Sequence, residues 1–167
     1  ETSRHVPSVE LLEIRRQKSP EDREVVRNLA SGKAEAALES LIKRGRYHES
    51  KTREDSAARL VEVWSSKYRD NPSSCLIVAA TNEWKDRLNR EAQAARLRAG
   101  LLGPETVPVG RDEFRTGDRV VFTARSAQVG VLKGDMGSVT AVRGSHMAVL
   151  LDSGTKVQVP TRLFKDI

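Results

Sequence analysis

Arg15 and Arg16, followed at once by Gln17, stand where an apolar run gives way to a helix, inside "LLEIRRQKSPEDREVVRNLASGKAEAALESL", residues 11–41. Two adjacent guanidinium groups held close to the protein body need an anionic partner, because a charge drawn out of water without one is costly. Glu13 and Asp22 offer such a partner within the chain itself. Two other places carry comparable chemistry. Thr81 and Asn82 follow the apolar run "CLIVAA" and open a helix, where free backbone amides suit a phosphate and the Asn82 side chain adds a hydrogen bond. Thr81 as a plain helix cap explains the same residues equally well. In "FTARSAQVGVLKGDMG", Arg125 and Lys133 lie among glycine-rich turns with few acids.

Other catalytic patterns are missing. The sequence has no G-x-x-x-x-G-K-[ST] phosphate loop, no cluster of His, Cys and carboxylate at metal spacing, and no Ser-His-Asp set. His5, His48 and His146 fall in different elements and read as surface or structural histidines. Cys75 is the single cysteine, so disulfides within the chain are excluded, and its apolar setting marks it as a small buried hydrophobe.

The elements that must position these residues follow from pattern. "SVELLEI" is a short apolar run that fits a strand covered on both faces. Ser19, Pro20 and Asp22 are a helix start, with Ser19 as N-cap and Asp22 as the carboxylate that reaches back; Val25, Val26 and Leu29 form its apolar stripe, and Gly32 ends it. A second helix over "KAEAALESLIKRG" turns Leu38, Leu41 and Ile42 inward and stops at Gly45; "RYHES" makes a brief extended piece. Thr52 with Asp55 opens a third helix carrying Leu60, Val61, Trp64 and Tyr68, which "RDNPSS" breaks. "CLIVAA" is a second buried strand, and "TNEWKDRLNREAQAARLRAG" a long helix ending at Gly100, with Trp84 at core spacing to Leu88 rather than presented as a base-stacking platform. Strand, helices, strand, helix is the order of an α/β layer with parallel strands.

The composition changes near "GLLGPETVPVG". Beyond it "DRVVFTA", "MGSVTAV", "HMAVLLD" and "TKVQVP" are short strands separated by glycine turns at "KGD", "RGS" and "DSG", a pattern that rolls into a small barrel. The "GSHM" at 144–147 reads as an ordinary turn. The division falls around residues 105–113 and gives domains 1–107 and 108–167.

Composition sets outer limits. Apolar residues at 38% and charged residues at 31% fit a soluble globular protein, and no run reaches a membrane span. The first residues lack the features of a signal peptide, so a cytoplasmic chain is expected, and a start at Glu1 points to an excised fragment. Twenty-nine lysines and arginines against 23 acids give a formal charge of +6, which favours a polyanionic partner over a merely solvated basic surface by no wide margin.

Taken in order, "VELLEIRRQ", "DREVVRNLASGKAEAALESLIKRGRYHES", "LIVAATNEWKDRLNREAQAAR" and "FRTGDRVVFTARSAQVGVLKGDMGSVTAV" resemble the second motor domain of RecD-like superfamily-1 helicases, more narrowly that of conjugative relaxases of the TraA, TrwC and TraI kind. The resemblance covers essentially the whole chain. It implies part of a RecA-like domain followed by an inserted SH3-like β-barrel, with "EIRRQ" matching the family's fourth helicase motif.

It further implies that Arg16 reaches the γ-phosphate of ATP held, with Mg²⁺, by the first RecA-like domain of the parent chain. Gln17 orients that arginine, and Arg15 is left to a structural ion pair. Single-stranded DNA is the implied partner, touched at Thr81 and Asn82 and guided by the barrel through Arg125 and Lys133, unless the barrel only packs on its own motor domain. Without a phosphate loop, and ending before the family's later motifs, the chain alone is expected to lack ATPase activity. Two rival readings stay open: a non-catalytic DNA-binding or assembly module descended from a helicase, and a barrel protein that binds RNA, which leaves "EIRRQ" unexplained.

Overall fold

A computed structural model describes residues 14–163. The chain divides into two compact units, the first ending at Lys51 and the second beginning at Thr52.

The first unit is a helical hairpin of α1 (Pro20–Ala30) and α2 (Ala34–Lys43). The Ser19 hydroxyl accepts from the Asp22 amide at 3.0 Å, as the sequence predicts, and Pro20 occupies the first turn where no amide is needed. The Asp22 carboxylate, expected to reach back to the helix start, is taken by Arg44 and Arg46 instead. At Gly32 (φ +73°) the chain closes α1 with bonds from the Gly32 amide to the Leu29 carbonyl and from the Lys33 amide to the Asn28 carbonyl; Gly45 (φ +64°) ends α2 in the same way. Val25 and Ala37 are buried in this unit.

Leu29, Leu38 and Ile42, predicted to face inward, are 55%, 40% and 51% exposed. Two helices alone share only a narrow seam, and among the described residues of the unit no third layer covers the rest of each apolar stripe. No strand forms over 46–50. The strand predicted over residues 8–14 lies outside the described residues except for Ile14.

The second unit opens with α3 (Arg53–Tyr68), capped by the Thr52 hydroxyl on the Asp55 amide at 3.0 Å, and continues through a 3-10 turn at Pro72–Ser74 to α4 (Asn82–Arg98). Ala57, Val61 and Leu88 form a small core on which Ile77, Ala79 and Trp84 pack. Trp64 is also buried, whereas Leu60, expected in the stripe, is 41% exposed.

"CLIVAA" departs from expectation. Ile77 and Ala79 pack on α3 and α4 while Leu76 and Val78 stand 72% and 79% exposed, and the segment joins no sheet. A strand buried on both faces needs hydrogen-bonded neighbours, and the described residues supply none. Every strand pair among them is antiparallel, so the predicted parallel layer is not present there.

The remaining strands follow the sequence closely. The hairpin of β1 (Thr106–Val109) and β2 (Asp112–Arg115) stands beside a four-stranded meander of β3 (Arg119–Val121), β4 (Met136–Arg143), β5 (His146–Leu151) and β6 (Lys156–Pro160), in the order β3-β4-β5-β6. Both sheets contribute to one core, with Val107 and Val109 from the hairpin meeting Phe122, Val139, Met147, Val149 and Val159. The predicted boundary at 107/108 falls within β1. "GSHM" is the β4–β5 turn, with Arg143 paired to His146 and Gly144 at φ +56°.

Candidate nucleotide and nucleic-acid contacts

Arg16 is exposed and sits in a bend two residues after the first described one. The backbone beneath it is fixed by a residue that sequence reasoning missed. Arg23, on the first turns of α1, donates from Nε to the Gln17 carbonyl at 2.9 Å and from Nη2 to the Lys18 carbonyl at 3.0 Å. Among the described residues Arg16 makes no hydrogen bond or ion pair, while Arg15 is itself engaged. Asp22, the partner considered for either arginine, is taken by Arg44 and by Arg46 at 2.8 Å. The hydrogen bond from Arg44 is the largest influence and, helped by that from Arg46, holds its carboxyl below the usual range against the opposing effect of desolvation. Glu13 lies outside the described residues.

At the start of α4 the Thr81 hydroxyl accepts from the Trp84 amide at 3.4 Å, so the capping role is realised. Asn82 is the first helical residue and is exposed. Trp84 packs on the Ala57–Val61–Leu88 core, and the Arg87 guanidinium lies 5.0 Å from the centre of its ring, as expected of a core residue with a cationic cover.

Arg125 and Lys133 are both exposed on the long connection between β3 and β4. Its base is closed by the Phe122 amide on the Asp135 carbonyl and the Gly134 amide on the Phe122 carbonyl; its middle is closed by the Ser126–Val131 bridge. Phe122 and Val131 anchor it in the core, so the two cations ride on a fixed loop rather than a slack one.

A polar network ties α4 to the sheets. Gln93 donates from Nε2 to the Asp118 carboxylate at 2.6 Å and to the Glu113 carbonyl at 2.8 Å, and the Arg115 amide donates to the same Asp118 oxygen at 2.8 Å. Buried Arg96 donates to the Arg69 carbonyl at 3.0 Å and the Gly117 carbonyl at 2.7 Å. Burial raises the Asp118 carboxyl above its ordinary range, with Gln93, the Arg115 amide and Arg96 pulling the other way. Gly117 has φ +97°, and a Cβ there would come within 2.7 Å of the Leu101 carbonyl, so glycine is required where the network meets the sheet. Arg119 and Asp152 add a two-pronged pair at 2.6 and 2.7 Å.

The structure places Arg16 and Gln17 in the first unit, and Thr81, Asn82, Arg125 and Lys133 in the second. Two recesses, about 640 Å³ between α3 and α4 and about 460 Å³ on the β4–β5–β6 face, are lined by other residues. Among the described residues no three His, Cys, Asp or Glu side chains are grouped to hold a metal ion, and no helix is long and apolar enough to cross a membrane.

No family model and no curated protein matches the chain. Solved structures do. The chain is similar to part of a Pif1 helicase. One match, from work on DNA unwinding at forked duplex DNA by two coordinating Pif1 helicases, is 18% identical with a TM-score of 0.46. Two others, a double mutant of the Bacteroides enzyme and Bacteroides sp Pif1 in complex with ADP-AlF4, are 20% and 19% identical with TM-scores of 0.39. Each match covers 87% of this chain and 32% of the helicase, so the chain spans about a third of the Pif1 proteins it matches.

Proposed function

We propose that this chain is part of the second RecA-like motor domain of an ATP-dependent DNA helicase, with an SH3-like barrel over 108–167, and that the parent translocates on single-stranded DNA in conjugative transfer, as a RecD-like relaxase-helicase. The observation that carries this reading is Arg16: an exposed guanidinium without a partner among the described residues, on a backbone that Arg23 pins at Gln17 and Lys18. An exposed side chain on such a backbone suits a phosphate delivered by another body, because no described residue ties it up in an ion pair.

The residues of this chain fit one edge of a nucleotide, not its whole cradle. With no phosphate loop in the sequence, ATP and Mg²⁺ belong to the first RecA-like domain of the parent, which makes that domain the partner of this one. Bound there, the nucleotide supplies the phosphoryl group. Arg16 contributes a planar, permanently charged fork to the charge that grows on its oxygens, and Gln17 orients the arginine. The DNA side is assigned to Asn82 with Thr81 and the free amides of α4, and to Arg125 and Lys133 on the fixed β3–β4 loop, all reading backbone charge rather than bases.

Titrating the chain with oligothymidylate at stepped salt concentrations tests the DNA half of the proposal. Weak binding that falls steeply with salt is expected. No binding at low salt, or binding indifferent to salt, removes the assignment.

A further inference from the structure

The recess of about 460 Å³ on the outer face of the meander has a built character that the helicase reading does not use. Along β4 the register shifts between Val139 and Ala141, and the extra residue, Thr140, ties its hydroxyl to the Ala148 carbonyl at 3.2 Å. This bulge turns Val142 inward, so that Ala141 and Arg143 share the outer face with Ala148 and His146 of β5 and Gln158 of β6.

Ala141, Ala148 and Gln158 form one row across three strands, and Arg143 and His146 face each other in the next. The two alanines leave a low floor; Arg143, His146 and Gln158 rise around it, and among the described residues no acidic side chain lines the recess. The walls are steady. The Thr161 amide and hydroxyl both donate to the Ser145 carbonyl, at 3.0 and 3.1 Å, and so pin the turn that carries Arg143 and His146. At the ordinary strand rise, the recess lies about 17 to 23 Å along β4 from the end that joins the Arg125–Lys133 loop.

We propose that this recess binds an anionic group of the phosphate class, with Arg143 as the charged fork and His146 and Gln158 as flanking donors over the alanine floor. The bulge puts a guanidinium, an imidazole and a carboxamide on one face with space between them and, among the described residues, no carboxylate to neutralise them, which is what an oxyanion needs. The phosphate is either free or part of a nucleic-acid backbone.

The test follows the Gln158 side-chain amide and the His146 ring signals of the whole chain by NMR, with inorganic phosphate as one probe and oligothymidylate as the other. Saturable shifts with phosphate are expected, weakened about tenfold or more by Arg143→Ala and by Ala148→Leu, which fills the floor, each variant being checked for an unchanged fold by its full spectrum. Shifts with both probes assign the site to phosphate in general, and shifts with the oligonucleotide alone assign it to backbone phosphate. The double substitution Arg125→Ala, Lys133→Ala leaves the phosphate response intact if the recess acts independently of the helicase reading. Signals that stay still with both probes, or that move equally in folded Arg143→Ala, overturn the proposal.

Discussion

Gln93 reaches from α4 to the buried carboxylate of Asp118 at 2.6 Å, and this bond, with Arg96 on the Gly117 carbonyl, fastens a helix to the sheets that follow it. Asp118→Ala leaves the Gln93 amide and the Arg115 amide without their shared acceptor, which is expected to cost about 1–3 kcal/mol. Urea denaturation of the chain measures the loss. A change within error would mean that water replaces the carboxylate without penalty.

The same residue gives a pH signature. Because burial raises the folded-state affinity of Asp118 for its proton, its contribution to stability is present at low pH and is lost as pH rises through the raised value. Asp118→Asn removes that loss. The stability of the natural chain minus that of the Asn variant should therefore fall as pH rises from the ordinary carboxylate range through the raised value. A difference that grows with pH would show that Gln93, the Arg115 amide and Arg96 outweigh burial.

Arg119 and Asp152 run the opposite way. Their hydrogen bonds hold the Asp152 carboxyl below its usual range, so the stabilisation is present above the unfolded value and is lost as pH falls through the lowered one. Asp152 is half exposed, and the pair contributes at most about 1 kcal/mol. Arg119→Lys loses the fork, and its effect should vanish in acid; an effect that persists below the titration of Asp152 would point to packing of the Arg119 stem instead.

How much of this was legible in the sequence depended on the range of the interaction. Ser19, Thr52 and Thr81 were readable as caps because a cap bonds three residues away, and Gly144 as a turn because its two strands are adjacent in the chain. Arg96 and Asp118 were not. Arg96 bonds carbonyls 27 and 21 residues away, the side-chain partner of Asp118 lies 25 residues away although the Arg115 amide is only three, and nothing local distinguishes a buried arginine on a charged helix from its solvated neighbours. Leu38, Ile42, Leu76 and Val78 misled for a related reason: an apolar side chain states a preference for burial, but whether it is met depends on a neighbouring layer that the pattern of its own element does not contain. Arg23, which holds the Gln17 and Lys18 carbonyls just after Arg16, became visible only in three dimensions.

For the β3–β4 loop, Arg125→Ala and Lys133→Ala should each weaken single-stranded DNA binding without sequence preference and lower the slope of log affinity against log salt by about 0.7 to 1. Melting temperatures should not move, since both side chains are exposed. An unchanged slope in both variants would return the loop to a packing role.

The central claim is the role of Arg16, and the direct measurement is DNA-stimulated ATP hydrolysis by the intact parent protein carrying Arg16→Ala, Arg16→Lys or Arg15→Ala. The account predicts a loss of roughly three to five powers of ten for Arg16→Ala with nucleotide binding and melting temperature nearly unchanged, because a finger acts mainly where charge builds in the transition state. Lysine should rescue poorly, since it restores the charge without the planar fork. Arg15→Ala should leave hydrolysis close to normal. Equal, small effects at Arg15 and Arg16, or a fall in stability at Arg16 that matches the fall in activity, would contradict the account and make Arg16 an anchor of the fold.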